Sequence, residues 1–223
     1  PCAVMACTWI TAQRTGAKTA TAAKYLASPG SDVVGILACG VQGRTNLSAL
    51  ACNFPLRKVF AYDTNSQAQA QFILDMQNQY DFEFVGVSDA QEAVVKSDIV
   101  VTSGPILKKP KPTIQIDWLQ PGGFASAVDY DSYWSSAALV QMDILATDDL
   151  TQFLYHRQIG YFDQMPDPNV ELGDLVAGCR PGRQNPDQRA LAMNLGLTMD
   201  DMAIAPEVYR RARDQGLGVW LTL

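Results

Sequence analysis

The sequence predicts an α/β fold built on a doubly wound parallel sheet, and three observations predict it. Short β-branched runs alternate with longer amphipathic stretches from Ser31 onward, a glycine-spaced turn follows the first of those runs, and an acid follows the second. Val33–Ala38 reads as the first strand, Gly40 to Asn53 as the helix after it, and Lys58–Tyr62 as the second strand, with Pro55 marking the join. Ser66 to Tyr80 carries Ala68, Ala70, Phe72, Ile73 and Met76 at helical spacing, and Phe82–Val87 reads as a third strand. A short helix over 89–96 leads to a fourth strand, Asp98–Thr102. Pro121-Gly122-Gly123 then turns the chain into a fifth strand, Phe124–Val128, and Ala138–Thr147 is expected to be a sixth, followed by a helix over 149–156.

Upstream of the sheet, Gly16 to Ala27 reads as a helix entering from outside it. The stretch from Phe162 to Asp187 is rich in Pro, Asp and Gly and reads as loops. Two further helices are expected over 188–196 and 199–215, both leaving the sheet.

The chain has 223 residues, 48% of them hydrophobic, enough for one sizeable core or one core plus part of a second. Its 17 basic and 23 acidic residues give a net charge of −6, which argues against a nucleic-acid partner. No run approaches the roughly 18 unbroken apolar residues of a membrane span, so no membrane partner and a cytoplasmic location are expected. Cys2, Cys7, Cys39, Cys52 and Cys179 are scattered without a C-x-x-C pair, and the single histidine, His156, is far from them in sequence. That spacing implies free, buried thiols rather than a disulfide framework or a metal site.

The chemistry begins at Ala38-Cys39-Gly40-Val41-Gln42-Gly43, where a strand gives way to a helix whose first N–H groups can bind an anion. Gly40 would admit a pyrophosphate and Gly43 would let the helix pack on the strand, while Ala38 stands where the fingerprint has its first glycine. Asp63, twenty residues beyond Gly43, follows the second strand, where a carboxylate accepts from a ribose diol and would repel a 2′-phosphate. The expected fold is therefore Rossmann-type and the expected cofactor NAD(H) rather than NADP(H). The competing reading makes Gly40 and Gly43 a structural turn and Asp63 a helix cap. Lys18 and Arg44 could supply a phosphate contact or be surface charges.

Arg14-Thr15-Gly16-Ala17, Ala22–Ala27 and Gly40-Val41-Gln42-Gly43-Arg44 resemble the ornithine cyclodeaminase and mu-crystallin family, as do Glu171–Gly178, Arg180–Arg183 and Asn194-Leu195-Gly196. The resemblance implies a Rossmann domain, here over 25–187, beside a substrate and dimerisation domain to which 1–24 and 188–223 belong. Family members begin well upstream of the Arg-Thr-Gly-Ala motif, so most of that second domain is expected to be absent, and a second chain could supply it. The resemblance makes Arg14 the grip on a substrate α-carboxylate, a task suited to a planar two-donor fork, and Thr15 a donor to a cofactor phosphate. Thr102 and Ser103 end the fourth strand, where cofactor-facing loops gather.

By the same resemblance Asp131 is the catalytic acid, although the chain reads Asp131-Ser132-Tyr133-Trp134 where the family has Pro-Gly-Lys. Asp129 is a second candidate, Asp131 as a helix N-cap is the structural alternative, and Tyr133 and Trp134 either wall a pocket or pack. Three functions stay open. The first is an NAD-dependent, homo-oligomeric enzyme acting on a small amino or imino acid by cyclodeamination, dehydrogenation or imine reduction. The others are a mu-crystallin-type ligand-binding protein and the cofactor-binding subunit of a split enzyme.

Overall fold

The computed structural model describes residues 3–220. Helix α1 (Thr8–Leu26) precedes strand β1 (Val33–Leu37), followed by α2 (Val41–Ala51), β2 (Lys58–Tyr62), α3 (Ser66–Gln77), β3 (Glu83–Gly86), α4 (Ala90–Val95), β4 (Ile99–Thr102) and β5 (Phe124–Ala127). Then come α5 (Ser136–Val140), β6 (Ile144–Thr147), α6 (Leu150–Gln158), β7 (Val170–Glu171), α7 (Leu172–Val176), β8 (Ala190–Met193) and α8 (Thr198–Asp214). All eight strands are parallel, in the order β3-β2-β1-β4-β5-β8-β6-β7.

The period-two alternation of the strands sorts the core into two layers. Val34, Ile36, Val59, Ala61, Ile99 and Val101 face one side, where α1, α2 and α3 supply Leu26, Leu47, Leu50, Phe72 and Met76. Leu37, Phe60, Val100, Ala125 and Leu191 face the other, against Val94 of α4, Leu139 of α5 and Phe153 of α6. Each large apolar side chain so buried contributes about 1.5–3 kcal/mol. Helix α1 lies close on the sheet: the Thr19 and Ser126 hydroxyls bond at 2.7 Å in the interior. Gly16 is required there, because a Cβ on it would lie 2.5 Å from the Thr45 carbonyl oxygen of α2.

Three expectations are corrected. The run 138–147 opens with the last three residues of α5, whose start the Ser135 hydroxyl caps by accepting the Ala138 N–H at 3.2 Å, and only Ile144–Thr147 enters the sheet. The loop-like stretch 162–187 contains β7 and α7. The run 188–196 does not leave the sheet as a helix: Ala190–Met193 is β8, buried on both faces between β5 and β6. Arg189 delivers it, donating its N–H to Asp143 Oδ2 at 2.8 Å and its Nε to the Leu119 carbonyl at 2.8 Å. Arg183 fastens the preceding loop by donating Nε to the Leu26 carbonyl at 2.8 Å. The segment that does leave the sheet is α8, which buries no residue and lies along α1.

The cysteine expectation divides: Cys39 is buried, Cys7, Cys52 and Cys179 are exposed, all four are free, and Cys2 lies outside the described residues. Among the described residues no cluster of side chains could hold a metal ion, and no helix is long and apolar enough to cross a membrane.

Candidate active site

The strand order reverses between β1 and β4, and in open parallel sheets the loops at the carboxyl ends diverge there and leave a crevice. On the β1 side, Gly40 is the N-cap of α2 with no side-chain cap, and no acid stands in the first turn. The first N–H groups of the helix therefore lack side-chain partners and can receive an anion. A Cβ on Gly40 would meet nothing within 4 Å, so the approach is open. A Cβ on Gly43 would lie 2.6 Å from the Ala38 carbonyl oxygen, which is why helix and strand can pack so closely. Ala38 itself has φ +76°, a left-handed conformation natural to the glycine it replaces.

Asp63 closes this side. Its Oδ2 accepts the Cys39 N–H at 2.7 Å and its Oδ1 accepts the Asn65 N–H at 2.8 Å, so the carboxylate is aimed by the glycine loop itself. It does not cap α3; Asn65 does, accepting from the Gln67 and Ala68 N–H groups. Arg44 donates to the Cys39 and Gly40 carbonyls and pairs with Asp75 at 2.8 Å, so it braces the loop from behind. Burial pushes the Cys39 thiol up to about 12, with Asp63 adding to the shift, so it stays a neutral packing group.

The opposite wall comes from the ends of β4 and β5. Ser103 donates its hydroxyl to the Ala38 carbonyl at 3.0 Å and joins the two sides. Thr102 is fully buried and donates to Asp129 Oδ1 at 2.6 Å, while Trp134 Nε1 donates to the Thr102 hydroxyl at 3.2 Å; this hydroxyl works inside the protein. Asp129 also accepts the Gly104 N–H at 2.9 Å. Burial raises Asp129 to about 6 against the lowering effect of these bonds, with Asp131 adding a small upward push.

Asp131 differs. It is almost buried, its Oδ1 has no hydrogen-bond partner, and burial raises its pKa, with Asp163 contributing. It is not a helix cap, since Ser135 fills that role for α5. Tyr130, between the two acids, has φ +62° and is wedged among His156, Tyr161 and Phe162. Strained residues of this kind are retained where the surroundings over-determine them. Thr147 Oγ1 and both polar atoms of the Asn194 side chain are likewise buried without partners, at or just beyond the ends of β6 and β8. With Asp131 they make a row of unpaired polar groups along the carboxyl edge. Thr147 carries no signal in the sequence, and Asn194, although it opens the Asn194-Leu195-Gly196 stretch, takes its buried setting from the sheet.

Arg14 stands at that end of the sheet. Its guanidinium is seated on Gly196, where a Cβ would lie 2.5 Å from Nη1, and it pairs with Asp201 at 3.3 Å and Asp200 at 3.9 Å. Lys18 is not a free surface charge: its Nζ lies 2.8 Å from Asp148 and 2.5 Å from Asp200. Asp148 in turn accepts the Leu195 and Gly196 N–H groups. Arg14, Lys18, Asp148 and Asp200 border a cavity of about 520 Å³ between α1, α7 and α8. Thr15, one turn of α1 beyond Thr11, donates its hydroxyl to the Thr11 carbonyl at 2.8 Å. The structure thus brings Gly40, Val41, Gln42, Gly43, Asp63 and Ser103 together, buries Asp131 in the loop after β5, and gives Arg14 a separate setting among acids.

The ornithine cyclodeaminase/mu-crystallin family model matches residues 1–216. N-((2S)-2-amino-2-carboxyethyl)-L-glutamate dehydrogenase of Staphylococcus aureus is 31% identical over a 232-residue alignment that takes in 100% of this chain and 68% of that protein. The Thermococcus litoralis Delta(1)-pyrroline-2-carboxylate reductase, solved with NADH and L-proline, superposes with a TM-score of 0.84 at 28% identity, covering 96% of this chain and 68% of that one. An archaeal alanine dehydrogenase dimer with bound NAD superposes at 0.83 with 25% identity, covering 97% of this chain and 68% of that one. On the motif, the fold and these matches, the chain belongs to the ornithine cyclodeaminase/mu-crystallin family.

Proposed function

We propose that this chain binds NAD(H) in the crevice between β1 and β4 and carries out an oxidoreductive step on a small amino or imino acid. The observation that carries the reading is Asp63, held by the Cys39 N–H beside the uncapped start of α2. A carboxylate so fixed accepts from the 2′- and 3′-hydroxyls of a ribose and opposes a 2′-phosphate, while the N–H groups over Gly40–Gly43 receive the pyrophosphate. NADH in the Thermococcus reductase and NAD in the archaeal dehydrogenase support the same cofactor.

The bound nicotinamide would supply hydride transfer to or from the substrate Cα. Asp131 moves the accompanying proton at the substrate nitrogen: ionised, it takes a proton from the amine, and protonated, it returns one. Burial raises its pKa above the ordinary carboxylate value, which favours holding the proton it must return. Arg14 takes the substrate α-carboxylate as a two-donor fork, exchanging its present acid partners for the ligand. Thr15, whose hydroxyl is bonded to the Thr11 carbonyl, would turn that hydroxyl to a cofactor phosphate. A homo-oligomer, as in the archaeal dimer, and a reducing, cytoplasmic setting for the exposed free thiols complete the reading.

The test is a titration with NADH and separately NADPH, followed by nicotinamide fluorescence and repeated with Asp63→Ala. NADH should bind more tightly than NADPH, and Asp63→Ala should weaken NADH by roughly 10-fold or more, the loss of hydrogen bonds to a charged group. No NADH binding by the unaltered protein would overturn the reading.

A further inference from the structure

Tyr133 belongs to the stretch after Asp131, packs one side of its ring on the second core layer and takes no part in the proton step. Its neighbour Trp134 is buried and bonded to Thr102, and its own carbonyl accepts the Ile114 N–H at 2.7 Å, so its backbone is fixed on both sides. The ring, by contrast, is only half-buried. It rests on Gly104: a Cβ built there would lie 2.6 Å from Tyr133 Cε2, 3.3 Å from its hydroxyl and 3.4 Å from Asp129 Oδ2. Gly104 is held in that place by its N–H bond to Asp129.

Gly104 itself sits beside the glycine turn, because the adjoining Ser103 donates its N–H to the Leu37 carbonyl and its hydroxyl to the Ala38 carbonyl, each at 3.0 Å. Burial pushes the Tyr133 phenol up to about 12, and after Asp129 the groups that add to the shift are Asp63, Tyr62 and Cys39. Those three lie at or just past the ends of β1 and β2, although Tyr133 follows β5. A ring propped on Gly104 therefore stands where the β4 loop meets the loop after β1. At neutral pH its hydroxyl stays protonated and can donate to a phosphate or ribose oxygen.

We propose that Tyr133, propped on Gly104, is a cofactor-contacting residue whose ring walls the dinucleotide crevice opposite Asp63 and Gly40–Gly43. The proposal rests on the NAD(H) reading above. A side chain of this size and rigidity, fixed before binding, presents contact area with little ordering cost.

NADH titrations of Tyr133→Ala, Tyr133→Leu, Tyr133→Phe and Gly104→Ala test it, each variant first shown to be folded by near-ultraviolet circular dichroism. Tyr133→Ala and Tyr133→Leu should weaken NADH by about 10-fold, and Tyr133→Phe should restore affinity to within about 3-fold of the unaltered protein. Gly104→Ala, whose methyl displaces the ring, should weaken NADH as Tyr133→Ala does. Unchanged or tighter NADH binding by both the Ala and Leu variants would overturn the proposal, since a ring that only packs would change the melting temperature and not the affinity. If that occurs while Asp63→Ala still weakens binding, the cofactor reading stands and only the role of Tyr133 falls. No binding by the unaltered protein removes both.

Discussion

The two walls of the crevice are made of different materials. The β1–β2 wall offers backbone N–H groups at a helix start and one half-exposed carboxylate anchored by two N–H bonds. The β4–β5 wall offers two carboxyls driven into the interior, one saturated by Thr102 and Gly104 and one left with an unpartnered oxygen. A surface of fixed donors binds without changing state. Buried acids are costly to ionise, and that cost raises the pKa of both carboxyls above the ordinary value. Under the proposed function, binding and chemistry fall to separate walls, and that division can be broken experimentally.

The largest expected effect falls on Asp131. In Asp131→Asn, turnover of an accepted amino or imino acid should fall by roughly 100- to 10,000-fold, the usual contribution of a positioned acid or base. NADH affinity should stay within about 3-fold, because the loss is confined to one wall. Steady-state kinetics beside the fluorescence titration check it, and a parallel loss of NADH binding would erase the division of labour.

Asp129 gives the next effect, on stability. Its folded pKa of about 6 lies above the ordinary value of 3.8, so the folded state holds this proton more tightly than the unfolded chain. The stabilisation is fully present below the unfolded value and is lost as pH rises through about 6. The amount is on the order of 3 kcal/mol. Urea unfolding at pH 5 and pH 7.5 should show about half of this loss in the native protein, the rest falling between the unfolded value and pH 5, and Asp129→Asn should remove that part of the difference. An identical pH response in both proteins would show that Asp129 is ionised throughout.

The smallest effect belongs to the binding wall. The left-handed φ of Ala38 costs about 1–2 kcal/mol. Against this, glycine adds unfolded-state freedom worth about 0.4–1 kcal/mol. Ala38→Gly should therefore raise the urea midpoint by a net of about 0.5–1 kcal/mol. A fall in midpoint would mean that the Ala38 methyl makes contacts worth more than the strain.

The binding wall is legible in the sequence because its signals are local. Strand, Gly40, Gly43, second strand and Asp63 follow one another within about thirty residues, and each occurs where parallel βαβ geometry requires it. The catalytic wall is legible only in part. Asp129 and Asp131 are two residues apart and alike in sequence, and their separation into a saturated carboxyl and an unpaired one depends on Thr102, Gly104 and the left-handed turn at Tyr130. Arg14 is marked by its motif, yet its seat on Gly196 and its pairing with Asp200 and Asp201 join residues more than 180 positions apart.

Sequence by itself thus determined the doubly wound class, the order from α2 to β5 and the cofactor loop, because hydrophobic period and turn chemistry act over a few residues at a time. Tertiary structure alone decided that Ala190-Leu191-Ala192-Met193, a run of good helix formers, becomes a strand. A slot between β5 and β6, with Asp143 and Arg189 at its entrance, offers it a parallel hydrogen-bond ladder on each edge. Filling that ladder and burying both faces outweighs a helix propensity worth only tenths of a kcal/mol per residue.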